Sequence, residues 1–231
     1  TTEGTKNEVR HAMAEVIAVL GYAKITDAFG DIPYTEGGKG KTDDILLPKY
    51  DTQESIYIDM IKRLGTSIAI LKSADPAMGY PNSDPIFNND LDKWVRFTNS
   101  VRLRLAMRVR FADNALSQQT VTQCLSEPLI EDNGDDAYMI ETEGNGNRWY
   151  NARTGFPSVK MSTFLLNQLE VTADPRLPMF FMMDQAGQYS GQTNGLNDTA
   201  FGESNFAAKS DMGLALSSKD SKMYMITASE V

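Results

Sequence analysis

The sequence predicts a mainly α-helical protein with one loop-rich region. Three observations carry that prediction. The stretches 3–29, 52–74 and 91–112 each repeat apolar residues at i, i+3, i+4 and i+7, the period of a helix with one buried face. The third stretch, LDKWVRFTNSVRLRLAMRVRFA, contains no Gly or Pro and is rich in Leu, Arg, Met and Ala, so its helix propensity is high. By contrast, residues 184–222 are mostly Gly, Ser, Asn, Asp and Gln, a long irregular segment of the kind that is more often functional or mobile than buried.

In the first stretch Val9, Ala12, Val16, Val19, Leu20 and Ala23 share a face, with Met13 at its edge. Gly30 is its expected C-cap, free to take a positive φ, and Pro33 a stop. The run Gly37-Gly38-Lys39-Gly40-Lys41-Thr42 superficially suggests a phosphate loop. Its required first glycine falls at Thr35 and no strand precedes it, so it reads as an ordinary loop. Asp51 as N-cap with Glu54 three residues on makes a capping-box start for the second helix. Tyr57, Met60, Ile61, Leu64, Ile68 and Leu71 form its stripe, and Asp75-Pro76 ends it.

Residues 73–90 are loop by composition. Asp84, Asn88, Asn89, Asp90 and Asp92 offer oxygen ligands for a calcium ion, but their spacing fits no EF-hand, and turn and cap chemistry is the simpler use. Asp90 or Asp92 can cap the third helix, whose stripe is Trp94, Phe97, Val101, Leu105, Val109 and Ala112. Arg102, Arg104 and Arg108 flank that stripe or lie within it, while Arg96 and Arg110 point away. These guanidinium groups need carboxylates on neighbouring helices. A short helix at 115–126 follows, with Cys124 on its apolar face and Pro128 closing it. A short strand is expected between Asp135 and Thr142. Ser158 is expected to cap a helix with Val159, Met161, Phe164, Leu165 and Leu169 on its apolar side, and in Asp174-Pro175-Arg176 the Arg can satisfy helix-end carbonyls. The sequence stops at 231 within what reads as a further helix.

A formal net charge of −9 argues against nucleic acid as a partner, because phosphate binding needs a basic surface. Cys124 is the only cysteine, which excludes an internal disulfide and a Cys-based zinc site. His11 is the only histidine and the single candidate for a Ser-His or Cys-His pair. No run approaches the roughly 18 apolar residues of a membrane-spanning helix. The cluster Glu131, Asp132, Asp135, Asp136, Glu141 and Glu143 lacks the asymmetry that glycosidase carboxylates need, and reads as an acidic surface or as partners for the Arg-rich helix.

The best ligand candidate is Asn147-Arg148-Trp149-Tyr150-Asn151, in a Gly/Asn loop. Sugars present C–H faces that stack on Trp and Tyr, and hydroxyls that pair with Asn and Arg. The competing reading has Trp149 plug the core while Tyr150 hydrogen-bonds locally. Tyr189, with Phe201, is the exposed-aromatic candidate of the irregular segment.

The run Lys93 to Arg108, KWVRFTNSVRLRLAMR, resembles a helix of the SusD/RagB family, surface lipoproteins of the Bacteroidetes that bind glycans or other nutrients beside an outer-membrane transporter. Further resemblances lie in order along the chain: Phe29-Gly30-Asp31-Ile32-Pro33-Tyr34, Tyr50-Asp51-Thr52-Gln53-Glu54, Asp174-Pro175-Arg176-Leu177-Pro178 and Met223 to Val231. Departures are Ala28 and Ser229 where aromatics are usual, and Phe87 with Asn89-Asp90 in place of a tyrosine and "GD". The resemblance implies one domain over 1–231, incomplete at both ends. It would have a tetratricopeptide-like helical scaffold mainly over 3–126, a loop-rich ligand-binding region over 127–222 and the start of a late scaffold helix at 223–231. It also implies a non-catalytic glycan-binding protein without cofactor, held at the outer membrane by an N-terminal lipid anchor absent from this sequence. Its partner would be a SusC-like TonB-dependent transporter. Peptide capture, or a scaffold role in the same kind of complex, is the alternative.

Overall fold

The computed structural model describes residues 2–140, 148–155, 159–214 and 222–231, with only the backbone of Thr2, Glu3 and Arg148. Among them are eight α-helices and one two-stranded sheet. The fold is mainly helical, as the periodicity predicts, and of the tetratricopeptide-like type that the resemblance implies. The chain divides into two compact units, Thr1–Tyr138 with Tyr224–Val231, and Met139–Met223.

The first unit is built on α1 (Thr2–Phe29), α2 (Gln53–Lys72), α3 (Leu91–Arg108) and α4 (Asn114–Leu125). Each packs on the next. Their predicted stripes meet in one core: Val16, Val19, Met60, Leu64, Phe97 and Val101 are essentially without solvent contact. Gly30 closes α1 with φ +74, as a glycine C-cap should, and its N–H reaches the Thr26 carbonyl at 2.8 Å. The α3 stripe is shorter than expected. The helix ends at Arg108, Val109–Phe111 is a 3-10 turn, and Ala112 is exposed.

Thr52, not Asp51, caps α2, accepting from the Ser55 N–H. Asp51 is used across the preceding loop instead, where its carboxylate takes N–H groups from Tyr34 (3.0 Å) and Thr35 (2.7 Å) and the Thr35 hydroxyl. The 37–42 run forms turns, with no strand before it and no helix directly after. In the 73–90 loop every carboxylate or amide with a stated partner does local work. Asp84 accepts from Ile86, Asn89 and the Trp94 indole (2.7 Å), Asn89 pins Tyr80 and Pro76, and Asp90 caps α3. No group of three metal-ligating side chains forms among the described residues.

The Arg side chains of α3 bind mostly carbonyls and amides rather than carboxylates. Arg108 pairs with Asp27 of α1. Arg102 donates to the Ile61 carbonyl (3.2 Å) and to Gln123 (2.6 Å). Arg96 does not point away: it donates to the Leu129 carbonyl at 3.0 Å and lies 3.6 Å from Asp135. The sheet pairs β1 (Ala137–Ile140) with β2 (Lys222–Ile226). Residues 222–226 are therefore strand rather than helix start, and a 3-10 turn at Ala228–Glu230 follows, with Thr227 and Glu230 forming a capping box. The acidic cluster is largely spent on structure: Asp132 accepts from Gly134, and Asp136 from the Ala228 N–H at 2.8 Å. Glu141 and Glu143 lie outside the described residues.

The second unit holds α5 (Arg148–Gly155), α6 (Thr163–Val171), α7 (Leu177–Phe180) and α8 (Asp198–Glu203). Its own small core is Met161, Leu166, Leu169, Phe181 and Met212. Ser162 caps α6, the role expected of Ser158, which lies outside the described residues. Phe164 is exposed rather than part of the apolar side. Arg176 turns back onto Asp174 in a fork (2.7 and 3.0 Å) instead of reaching helix-end carbonyls. That pairing holds the Asp174 carboxyl down to about 2.

Candidate functional site

The predicted aromatic pair lies on a helix, α5, not in a loop. Adjacent helical residues point about 100° apart, so Trp149 and Tyr150 cannot share a direction. Trp149 is 59% exposed, while Tyr150 is half-buried with the Arg153 guanidinium 5.8 Å from its ring centre. Thr154 ties back to the Tyr150 carbonyl at 2.8 Å, and Asn151 is exposed. Arg153 Nε is buried without a hydrogen-bond partner among the described residues. Asn147 and the side chain of Arg148 lie outside the described residues. Tyr189 is half-buried, edge-on to Phe181 at 6.5 Å between ring centres, and packs on the core of its unit. Phe201 is 46% exposed and lies 5.1 Å from the Phe206 ring. Only Trp149, Tyr150 and Asn151 of the candidates thus share an element whose side chains are described.

Two grooves in the first unit were not anticipated. One, of about 510 Å³, is lined by Asp27, Gln53, Glu54, Tyr57, Arg108 and Leu116 among others. At its wall the Tyr57 hydroxyl donates to Asp27 at 2.5 Å while Arg108 pairs with the same carboxylate. Burial pushes the Tyr57 phenol up, so it stays a donor at neutral pH. Tyr57 reads in the sequence as a stripe residue, and nothing there links it to Asp27. The other groove, of about 650 Å³, lies between α2 and α4 and includes Lys62, Arg102, Gln119 and Gln123.

Cys124 is fully buried and its thiol is pushed up by that burial, whereas His11 is exposed and lies 3.5 Å from Glu15.

The sequence profile of a family described as "Starch-binding associating with outer membrane", the SusD-like family, matches residues 1–231. The chain belongs to the SusD-like family. Solved structures agree on the fold. A chitin-binding SusD homologue from Flavobacterium johnsoniae superposes with TM-score 0.78 at 25% identity, covering 94% of this chain and 45% of that one. A SusD-like protein from Bacteroides thetaiotaomicron gives 0.76 at 25% identity, over 95% and 45%. An outer-membrane protein from Bacteroides vulgatus, described as probably involved in nutrient binding, gives 0.80 at 22% identity, over 94% and 51%. This SusD-like chain thus spans about half the length of these relatives. A comparison with curated proteins gives no match. No helix among the described residues is long and apolar enough to cross a membrane.

Proposed function

We propose that this protein is a non-catalytic surface protein that captures oligosaccharide or polysaccharide for import. The observation that carries the reading is membership, along residues 1–231, in a family described as starch-binding and associated with the outer membrane. The chitin-binding relative at 25% identity supports a carbohydrate ligand. In this reading the exposed Trp149 indole supplies the stacking face, and Tyr150 and Asn151, with Asn147, Arg148 and Tyr189, supply hydrogen-bonding and further contact groups. The captured glycan passes to a SusC-like TonB-dependent transporter, and a lipid anchor on the full-length protein holds it at the outer membrane.

The tryptophans make a direct test. Trp94 is buried and hydrogen-bonded to Asp84, whereas Trp149 is exposed. Titrating oligosaccharides should change the quenchable, red-shifted part of the emission, which Trp149→Phe removes. A glycan that binds saturably while leaving the Trp149 emission unchanged would contradict the assignment of the site.

A further inference from the structure

The α2–α4 groove is cationic; the adjoining pocket that shares Arg102 and Gln123 with it holds Glu127, whose carboxylate is paired with Lys72 at 2.7 Å. Among the groove's eleven lining residues are Lys62, Gly65, Ala69, Arg102, Gln119 and Gln123. Two of these are cations and none is a carboxylate, in a chain of net charge −9. The Asp27 groove is the opposite case: there Arg108 is accompanied by Asp27, Glu54 and Asp113.

The cations are also held in place. Arg102 is half-buried, and its stated partners, the Ile61 carbonyl and the Gln123 amide oxygen, are neutral. It therefore makes no salt bridge among the described residues. The guanidinium lies over Gly65 of α2, where a Cβ would meet its Cζ and Nη2 at 3.4 Å, in van der Waals contact. Gly65 and Ala69 keep the floor of the groove low. By accepting through its oxygen, Gln123 leaves its NH₂ group as a donor, and exposed Gln119 adds a second amide. Lys62 is exposed on the rim, and no ion pair engages its ammonium among the described residues.

We propose that this groove is an oxyanion site, for a carboxylate or sulfate group, in which Arg102 and Lys62 supply charge and Gln119 and Gln123 supply directed N–H donors. A guanidinium fork beside amide donors suits a planar or tetrahedral oxyanion. The group can belong to an acidic saccharide or be a free ion. The inference is independent of the Trp149 reading, since it uses other residues and another ligand chemistry.

The test is nitrogen-edited NMR of the side-chain amides of Gln119 and Gln123 and of Arg102 Nε. Sodium sulfate, an oligogalacturonate and a neutral oligosaccharide of equal length are titrated at ionic strength fixed with chloride. Saturable millimolar shifts with sulfate or oligogalacturonate, but not with the neutral sugar, are expected. Lys62→Glu should weaken them about fivefold or more, since it replaces an attraction by a repulsion. Ala69→Glu, which sets a carboxylate on the groove floor, should do the same with the backbone spectrum unchanged. Tighter binding of oligogalacturonate than of sulfate would name the saccharide as the source, and the reverse would name the free ion. Absence of saturable shifts with both anions, or shifts indifferent to both variants, would overturn the proposal.

Discussion

Asn99 illustrates what single residues do in this fold. It is fully buried in the middle of α3, and its amide nitrogen donates to the carbonyls of Cys124, Glu127 and Pro128 at 2.9, 3.3 and 3.0 Å. The first belongs to the last turn of α4 and the other two to the chain leaving it, so one side chain ties the exit of α4 to α3. Its neighbours are equally committed: Thr98 donates to the Trp94 carbonyl, and Ser100 accepts from the Ile130 N–H. Asn99→Ala should cost about 1–3 kcal/mol, because it removes the side-chain donor shared by three carbonyls and leaves a gap at a fully buried position; the urea midpoint measures it. The periodicity of the sequence made the apolar stripe of α3 legible and left this polar trio unread. The partners of Asn99 and Ser100 lie 25 to 30 residues away, beyond any local pattern.

At the same scale, Asp51 makes stability depend on acid. The Thr35 N–H above all, joined by the Tyr34 N–H and the Thr35 hydroxyl, holds its carboxyl below the usual range against the opposing effect of burial. The folded state therefore favours the ionised form. That contribution is complete above the unfolded carboxyl value of about 4 and is lost as pH falls through the lower folded value. Asp51→Asn should flatten the acid limb of a stability–pH curve below about pH 4. An unchanged limb would show that the loop hydrogen bonds do not persist in solution. Arg63 is a further point of stability. It pairs with buried Glu15 and donates to the Tyr34 hydroxyl at 2.6 Å. Arg63→Ala leaves the Glu15 carboxylate without its cation and should cost about 2–3 kcal/mol, less than for a fully buried pair because Arg63 is itself partly exposed.

Among the elements, the long helices were legible because each buries one stripe and is punctuated by cap chemistry. Asp90 caps α3 by accepting the Lys93 N–H at 3.1 Å. Asp90→Ala should cost about 1 kcal/mol, measured by thermal or urea unfolding. Short elements were harder. The Gly and Asn residues before Arg148 suggested a loop, whereas α5 forms over Arg148–Gly155 with Tyr150 and Arg153 three residues apart on it. Met223 to Ile226 was expected to start a helix. It pairs with β1 instead, placing Tyr138 and Tyr224 5.6 Å apart, and such pairing depends on a segment about 85 residues earlier. Two of the side chains proposed for ligand contact, Trp149 and Tyr150, were recognisable from type alone. Their divergent directions on a helix were not, because a loop sets no fixed angle between neighbours.

For the whole molecule, family resemblance and physical pattern point the same way. The run Lys93 to Arg108 combines an amphipathic stripe with many arginines, and its resemblance to a SusD-family helix suggested the fold; in the structure those arginines bind across to α1, α2 and α4. The functional reading rests on fewer contacts, because carbohydrate capture uses a small surface and leaves little trace in core periodicity. The most direct measurement is calorimetric titration of the whole protein with a panel of neutral oligosaccharides and peptides, beside Trp149→Ala. Saturable oligosaccharide binding, weakened about tenfold or more in the variant whose unfolding midpoint is unchanged, is the predicted result. Saturable peptide binding with no oligosaccharide binding, or oligosaccharide binding untouched by Trp149→Ala, would contradict the account.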